Sequence, residues 1–151
     1  SVMTEKVAGL FRRAGIETTV SGSIRDVVWD KLLVNVGINA ITALTGIKNG
    51  QLLDLPVTKA LSRAAVEEAA ALAEAAGAGV RDHATAHVFD IAAMTAGNRS
   101  SMGQDIDHQR RTEIDAINGF VVRESEKFGL EAPVNRTLTA LIETIQHHFC
   151  S

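Results

Sequence analysis

The sequence predicts an all-α fold, and three observations carry that prediction. From Ile24 onward, apolar residues recur every three or four positions, the period of a buried helix face, and Gly or Pro punctuates the pattern. Aromatics make up only 4% of the 151 residues, so packing rests on Ala, Leu, Val and Ile, as suits helix lying close on helix. One short β-branched run, IETTV at 16–20, is the only convincing strand signal, and a lone strand has no partner with which to form a sheet.

Each element follows from local signals. Residues 3–14 read as an amphipathic helix stopped by Gly15. The 16–20 strand and a Ser21-Gly22-Ser23 turn come next. A helix followed by an orphan strand resembles the last unit of an α/β domain whose remainder is not in this chain. The first long helix is expected over about 24–44, ending near Gly46, with a turn at Asn49-Gly50. Pro56 introduces an Ala-rich helix over 57–76, closed by Gly77 and Gly79. Asp82 is a candidate N-cap for a helix over 83–95, followed by a loop at 96–100. One long helix is expected over 102–128 up to Gly129, and Pro133 opens a last helix to about 148.

Charge and composition exclude several functions. The net charge of −3, with no Lys/Arg cluster among aromatics, argues against nucleic-acid binding. The apolar runs read as too short to span a bilayer, and no secretory signal is expected in residues 1–16. The single Cys150 cannot form an internal disulfide, so the cytoplasm is the expected compartment. Neither GxGxxG after a strand nor GxxxxGK[ST] is present, so no nucleotide site is recognisable.

Two constellations carry chemistry. In WDKLLVNVGINAIT, Lys31, Asn35 and Asn39 are spaced i, i+4, i+8, which stacks them on one helix face among apolar neighbours. A buried Lys and two buried Asn are costly unless hydrogen-bonded. A cation and two amides suit an oxygen-bearing substrate such as a reactive carbonyl or hydroxy acid; the alternative is a polar seam satisfied by neighbouring helices. In NRSSMGQDIDHQRRTEID, Ser101 followed by Gln104 reads as a capping box, which makes Ser101 the expected N-cap. Asp105 falls in the first turn, and Gln109 and Glu113 follow it at i+4 and i+8. A helix N-terminus with a free hydroxyl suits a carboxylate.

Other signals are weaker. His83, His87 and Asp90 have helical metal-ligand spacing but lack a distant ligand, so a solvated face is the better reading and no metal is expected. His147, His148 and Cys150 cluster at a terminus and read as frayed-end residues. Trp29 reads as a core anchor, and Met94 and Met102 as packing.

WDKLLVNVGINAIT, the NG of IKNGQL, and NRSSMGQDIDHQRRTEIDAINGFVV, in that order and spacing, resemble the C-terminal helical domain of ketopantoate reductase (2-dehydropantoate 2-reductase). The resemblance extends to GLEAPVNRTLTALI and covers nearly the whole chain. It implies a multi-helix domain similar to those of 6-phosphogluconate dehydrogenase-like proteins. Residues 1–22 would then be an interdomain junction, a helix–strand remnant of a Rossmann domain, and 23–151 the substrate-binding and catalytic domain. Complete members reduce 2-dehydropantoate to pantoate with NADPH, on the way to pantothenate and coenzyme A. By resemblance, Lys31 is the catalytic lysine at the ketone oxygen, and Asn35 supports that lysine and binds the substrate. Asn39 and Asn49 hold the substrate's hydroxyl end, Ser101 meets its carboxylate, and Glu113 orients substrate or lysine. Asp105 reads as structural support. The cofactor-binding domain is absent from this chain, which is therefore expected to be inactive alone. The implied partners are a 2-keto acid and the Rossmann domain, with self-association expected through the face that domain would cover. Two other functions fit: a related reductase acting on another 2-keto acid, and a non-catalytic helical dimerisation module.

Overall fold

The computed structural model describes residues 2–79 and 83–149, and these form an all-helical fold with no strand among them. The helices are α1 (Val2–Arg13), α2 (Ile24–Thr45), α3 (Pro56–Ala75), α4 (Ala84–Met94), α5 (Ser101–Asp107), α6 (Asn118–Lys127) and α7 (Pro133–His147). Short 3₁₀ turns at Gly50–Leu53 and Ile114–Ala116 precede α3 and α6. Asp82, the expected N-cap of α4, lies outside the described residues.

Helix α2 is the axis of the molecule and packs against α3, α4, α5 and α7. Its buried residues begin at Leu33 and include Val36, Ala40 and Ile41, while Ile24, Val27 and Val28 before them stay exposed. The first two turns therefore project beyond the core. By length and composition α2 is apolar enough to cross a membrane, contrary to the sequence reading. Here it serves as a core helix, because its neighbours supply the apolar surroundings that lipid otherwise would. Gly37 permits the close packing: a Cβ there would lie 2.7 Å from methyls of both Val66 on α3 and Val88 on α4. The α3 stripe Ala65, Val66, Ala69, Leu72 and Ala73 is small and fully buried, which lets α3 approach α2 closely.

α7 has no side-chain cap of its own. Glu68 on α3 supplies one, accepting from the N–H groups of Val134 (2.8 Å) and Asn135 (2.9 Å) at the positive end of the helix. The buried Asn135 amide donates to Glu68 Oε2 at 2.7 Å and to the Ala65 carbonyl at 3.0 Å. It also accepts from Asn118 at 2.9 Å, which ties α3, α6 and α7 together.

The segment 16–20 forms no strand, correcting the expected helix–strand remnant. No described strand lies beside it to complete its hydrogen bonds, so its β propensity alone does not suffice. Instead it runs back along α1, held by Arg12 Nε donating to the Thr18 carbonyl (2.9 Å) and by the Ile16 N–H donating to Phe11 O (3.0 Å). Only Ala8 of α1 is buried. Val7, Ala8 and Phe11 face an apolar groove of about 470 Å³ that continues to Ile24 and Val27.

Candidate functional site

The polar line on α2 descends into the protein. Lys31 is exposed, Asn35 is half-buried, and Asn39 is 6% exposed. The expectation that Lys31 is buried is thus corrected, because it stands on the projecting part of α2, before Leu33. No described residue forms an ion pair or hydrogen bond with the Lys31 ammonium. At the buried end, Asn39 Nδ2 donates to Ser101 Oγ across a long 3.5 Å. That contact brings the two sequence constellations together.

Ser101 is not the N-cap of α5. Ser100 is: its Oγ accepts from the Gly103 N–H at 3.1 Å and hydrogen-bonds the Thr42 hydroxyl on α2 at 2.7 Å. Adjacent serines offer the cap in two registers, and the buried Thr42 hydroxyl selects the first. Ser101 is thereby left in the first turn, exposed, with its hydroxyl directed at Asn39. Gln104 Nε2 donates to the Arg99 carbonyl at 3.0 Å, whereas a Ser101 capping box requires the Gln104 side chain to accept from the Ser101 N–H.

Asn49 sits where two loops meet. Its N–H donates to Asn98 O (3.0 Å) and its Nδ2 to Thr95 Oγ1 (3.0 Å). Its Oδ1 is buried and has no hydrogen-bond partner, an acceptor suited to a ligand hydroxyl. Gly50 allows the loops to touch, since a Cβ there would lie 2.5 Å from Ala96 Cβ.

The expected 102–128 helix is broken, so Glu113 does not continue a ladder from Asp105 and Gln109. α5 stops at Asp107, and Gln109 turns left-handed at φ 54°. The Arg110 N–H closes the turn onto Asp105 O at 2.8 Å. Thr112 then donates to Gln146 Oε1 on α7 from both its N–H (3.1 Å) and its hydroxyl (2.9 Å). This long-range tether overrides the helix propensity of HQRRTE. Glu113 lies in the turn before Ile114–Ala116, exposed and without a capping role. Asp105 pairs with Arg110 at 3.0 Å, in keeping with structural support.

Arg99 was not singled out by sequence reasoning, because nothing local marks one arginine as a hub. Its guanidinium grips Asp107 through two bonds, Nε to Oδ2 (2.8 Å) and Nη2 to Oδ1 (2.9 Å). Nη1 donates to the carbonyls of Thr42 and, at 3.0 Å, Ile47, and Nη2 to Gly103 O at 3.5 Å. The paired hydrogen bonds hold the Asp107 carboxyl below the usual carboxylate range and raise Arg99 above its ordinary value. Gly103 leaves room for the guanidinium, as a Cβ there would lie 2.6 Å from Arg99 Cζ. His83, His87 and Asp90 gather no metal-ligand cluster among the described residues.

The site thus offers an ammonium, amides and a hydroxyl along one face, a set that suits a small anion carrying further oxygens. Residues 23–146 match the family model described as Ketopantoate reductase PanE/ApbA C terminal. The chain is 41% identical over 140 residues to 2-dehydropantoate 2-reductase of Halobacterium salinarum, covering 93% of this chain and 46% of that protein. A PanE/ApbA family ketopantoate reductase from Ralstonia eutropha JMP134 has a similar structure. It superposes with a TM-score of 0.91 at 32% identity, over 97% of this chain and 49% of its own. D-mandelate dehydrogenase, solved with NADH and anilino(oxo)acetate, also gives 0.91, at 25% identity over 99% of this chain and 63% of its own. The chain spans about half the length of the curated relatives it matches. With the helical fold, the Asn39–Ser101 contact and the family match in agreement, the chain belongs to the ketopantoate reductase family, of which it represents the C-terminal helical region.

Proposed function

We propose that this chain is the substrate-binding and proton-donating half of an NADPH-dependent reductase that converts 2-dehydropantoate to pantoate, a step toward pantothenate and coenzyme A, in the cytoplasm. The observation that carries the reading is the Asn39–Ser101 contact, which joins the α2 polar face to the start of α5. Ser101 meets the substrate carboxylate, while Asn39 and the unpaired Oδ1 of Asn49 take the hydroxyl end. Lys31 sits at the ketone oxygen, stabilises negative charge developing there and delivers the proton, with Asn35 in support. Glu113 orients the substrate or Lys31.

This chain's residues do not fit a dinucleotide: no Gly-rich loop follows a strand. NADPH, which supplies the hydride, is held by a preceding dinucleotide-binding half. The 151-residue chain alone is therefore inactive, and Lys31 gains its surroundings only when the halves meet. The likeness to D-mandelate dehydrogenase supports a second reading, reduction of a bulkier 2-keto acid by the same residues. Turnover of a panel of 2-keto acids distinguishes the two. A helical module that merely binds partners has no use for a lysine, amides and a hydroxyl on one face.

Replacing Lys31 by Ala in the protein carrying both halves tests the reading. We expect turnover to fall by about 10²–10³-fold, the loss typical of removing one oxyanion-stabilising group. The melting temperature should hold, because Lys31 is exposed and unpaired among the described residues. Unchanged turnover means that Lys31 is not at the reacting oxygen.

A further inference from the structure

Arg99, Ser100 and Ser101 are consecutive, and all three engage the last turns of α2. The last four carbonyls of any helix lack partners within it, and the Thr42 carbonyl is one of these in α2. Arg99 Nη1 donates to that carbonyl. Ser100 takes the hydroxyl of the same Thr42 at 2.7 Å. Ser101 meets Asn39, one turn earlier, at 3.5 Å. Two of the three links therefore fix one residue of α2 from two sides. The third link, the weakest, is the one that faces substrate in the reading above.

The donor inventory of Arg99 shows how it acts. A guanidinium carries five N–H groups. Two go to Asp107, two to the Thr42 and Ile47 carbonyls, and the fifth to Gly103 O. All five are committed, so none remains for a substrate anion. The side chain is largely enclosed, at 17% exposure, between the end of α2, the loop after it and the first turn of α5. Its acceptors thus lie on both walls of the site.

We propose that Arg99 is a positioning residue: a clamp of four short hydrogen bonds that sets the spacing between Asn39 on α2 and Ser101 on α5, and through it the affinity for the 2-keto acid carboxylate. This rests on the assignment of Ser101 and Asn39 to the substrate. The Ser101–Asn39 distance of 3.5 Å leaves little direct attraction to hold the walls in register. The clamp supplies that register from behind. A lysine cannot replace it, having three donors on a point charge and no planar fork for Asp107.

The test uses steady-state kinetics of the protein carrying both halves, with 2-dehydropantoate as substrate. Arg99→Lys should raise KM for the keto acid about tenfold and leave KM for NADPH unchanged, because a shift of about an ångström at a positioning group costs up to 10²-fold. In a Ser101→Ala background the same change should raise KM less than about twofold, since residues acting through one another are not additive. A tenfold effect in both backgrounds overturns the proposal, as does a lowered melting temperature with KM unchanged. If Arg99→Lys does not fold, Asp107→Asn, at a half-exposed position, is read by the same criteria. Lys31→Ala separates the two layers of argument. If it leaves turnover intact, the reading of the reaction fails. If it abolishes turnover while Arg99→Lys keeps the parental KM, only the clamp fails.

Discussion

A single residue of register separates cap from ligand at Ser100 and Ser101. Ser100 holds the Gly103 N–H and the Thr42 hydroxyl, whereas Ser101 is exposed with one long contact. Ser100→Ala should therefore cost about 1–2 kcal/mol of stability, losing a helix cap and the buried hydroxyl–hydroxyl bond to Thr42, whose own hydroxyl keeps the Ile38 carbonyl at 2.8 Å. Ser101→Ala should leave the thermal unfolding midpoint within error. Equal midpoints for the two variants would contradict the capping assignment. The Asp107 carboxyl, lowered by its hydrogen bonds to Arg99, links stability to pH. A group lowered in the folded state stabilises above its unfolded pKa, and that contribution is lost as pH falls through the lowered value. Acid unfolding of Asp107→Asn should accordingly be shallower below about pH 4 than that of the parent, measured by circular dichroism. The lysine–asparagine face was legible from its spacing alone, since i, i+4, i+8 holds on any helix. The depth of Lys31 was not, because depth depends on where neighbouring helices stop. Arg99 was invisible for a related reason: its acceptors include Thr42 and Ile47, more than fifty residues away.

Helices were read best where periodicity and breakers agreed, and worst where a distant tether competed. α2, α3 and α7 carry regular apolar stripes ended by Gly or opened by Pro, and they form close to the expected bounds. The expected helix after Ser101 instead divides into α5, a 3₁₀ turn and α6. HQRRTE has no strong breaker, and what stops the helix is Thr112 binding Gln146 on α7. No window of local sequence contains both partners. Gly37 shows packing prevailing over propensity in the opposite sense. An alanine there gains about 1 kcal/mol of helix propensity. Its Cβ, however, would sit 2.7 Å from two valine methyls, and overpacking of a tight core costs about 1–3 kcal/mol. The second effect prevails because α3 and α4 both close on that position. Urea unfolding of Gly37→Ala should show a net loss of up to about 2 kcal/mol, and a gain in stability would show that the α2–α3–α4 crossing can open freely.

At the scale of the whole molecule, the fold divides into a packed body and an appendage. α1 contributes only Ala8 to the buried set and leaves Val2, Met3, Val7, Leu10 and Phe11 exposed. The first turns of α2 add Ile24, Val27 and Val28 to the same apolar region. A surface of this kind calls for a cover. Multi-angle light scattering of the 151-residue chain should therefore show concentration-dependent self-association. Deleting residues 2–22 should reduce it, and a clean monomer at high concentration would contradict this reading.

The central place of α2 has a consequence for synthesis. α2 ends at Thr45, yet α7, which it packs against, begins only at Pro133. At about 5–20 residues per second, roughly 4–18 s pass between the completion of one helix and the start of the other. Over that interval α3, α4 and α5 are made and can cover their faces of α2, while the face that α7 covers waits for its partner. The feature that makes the finished core compact thus leaves the nascent chain with apolar helix surface uncovered until its last helix is made.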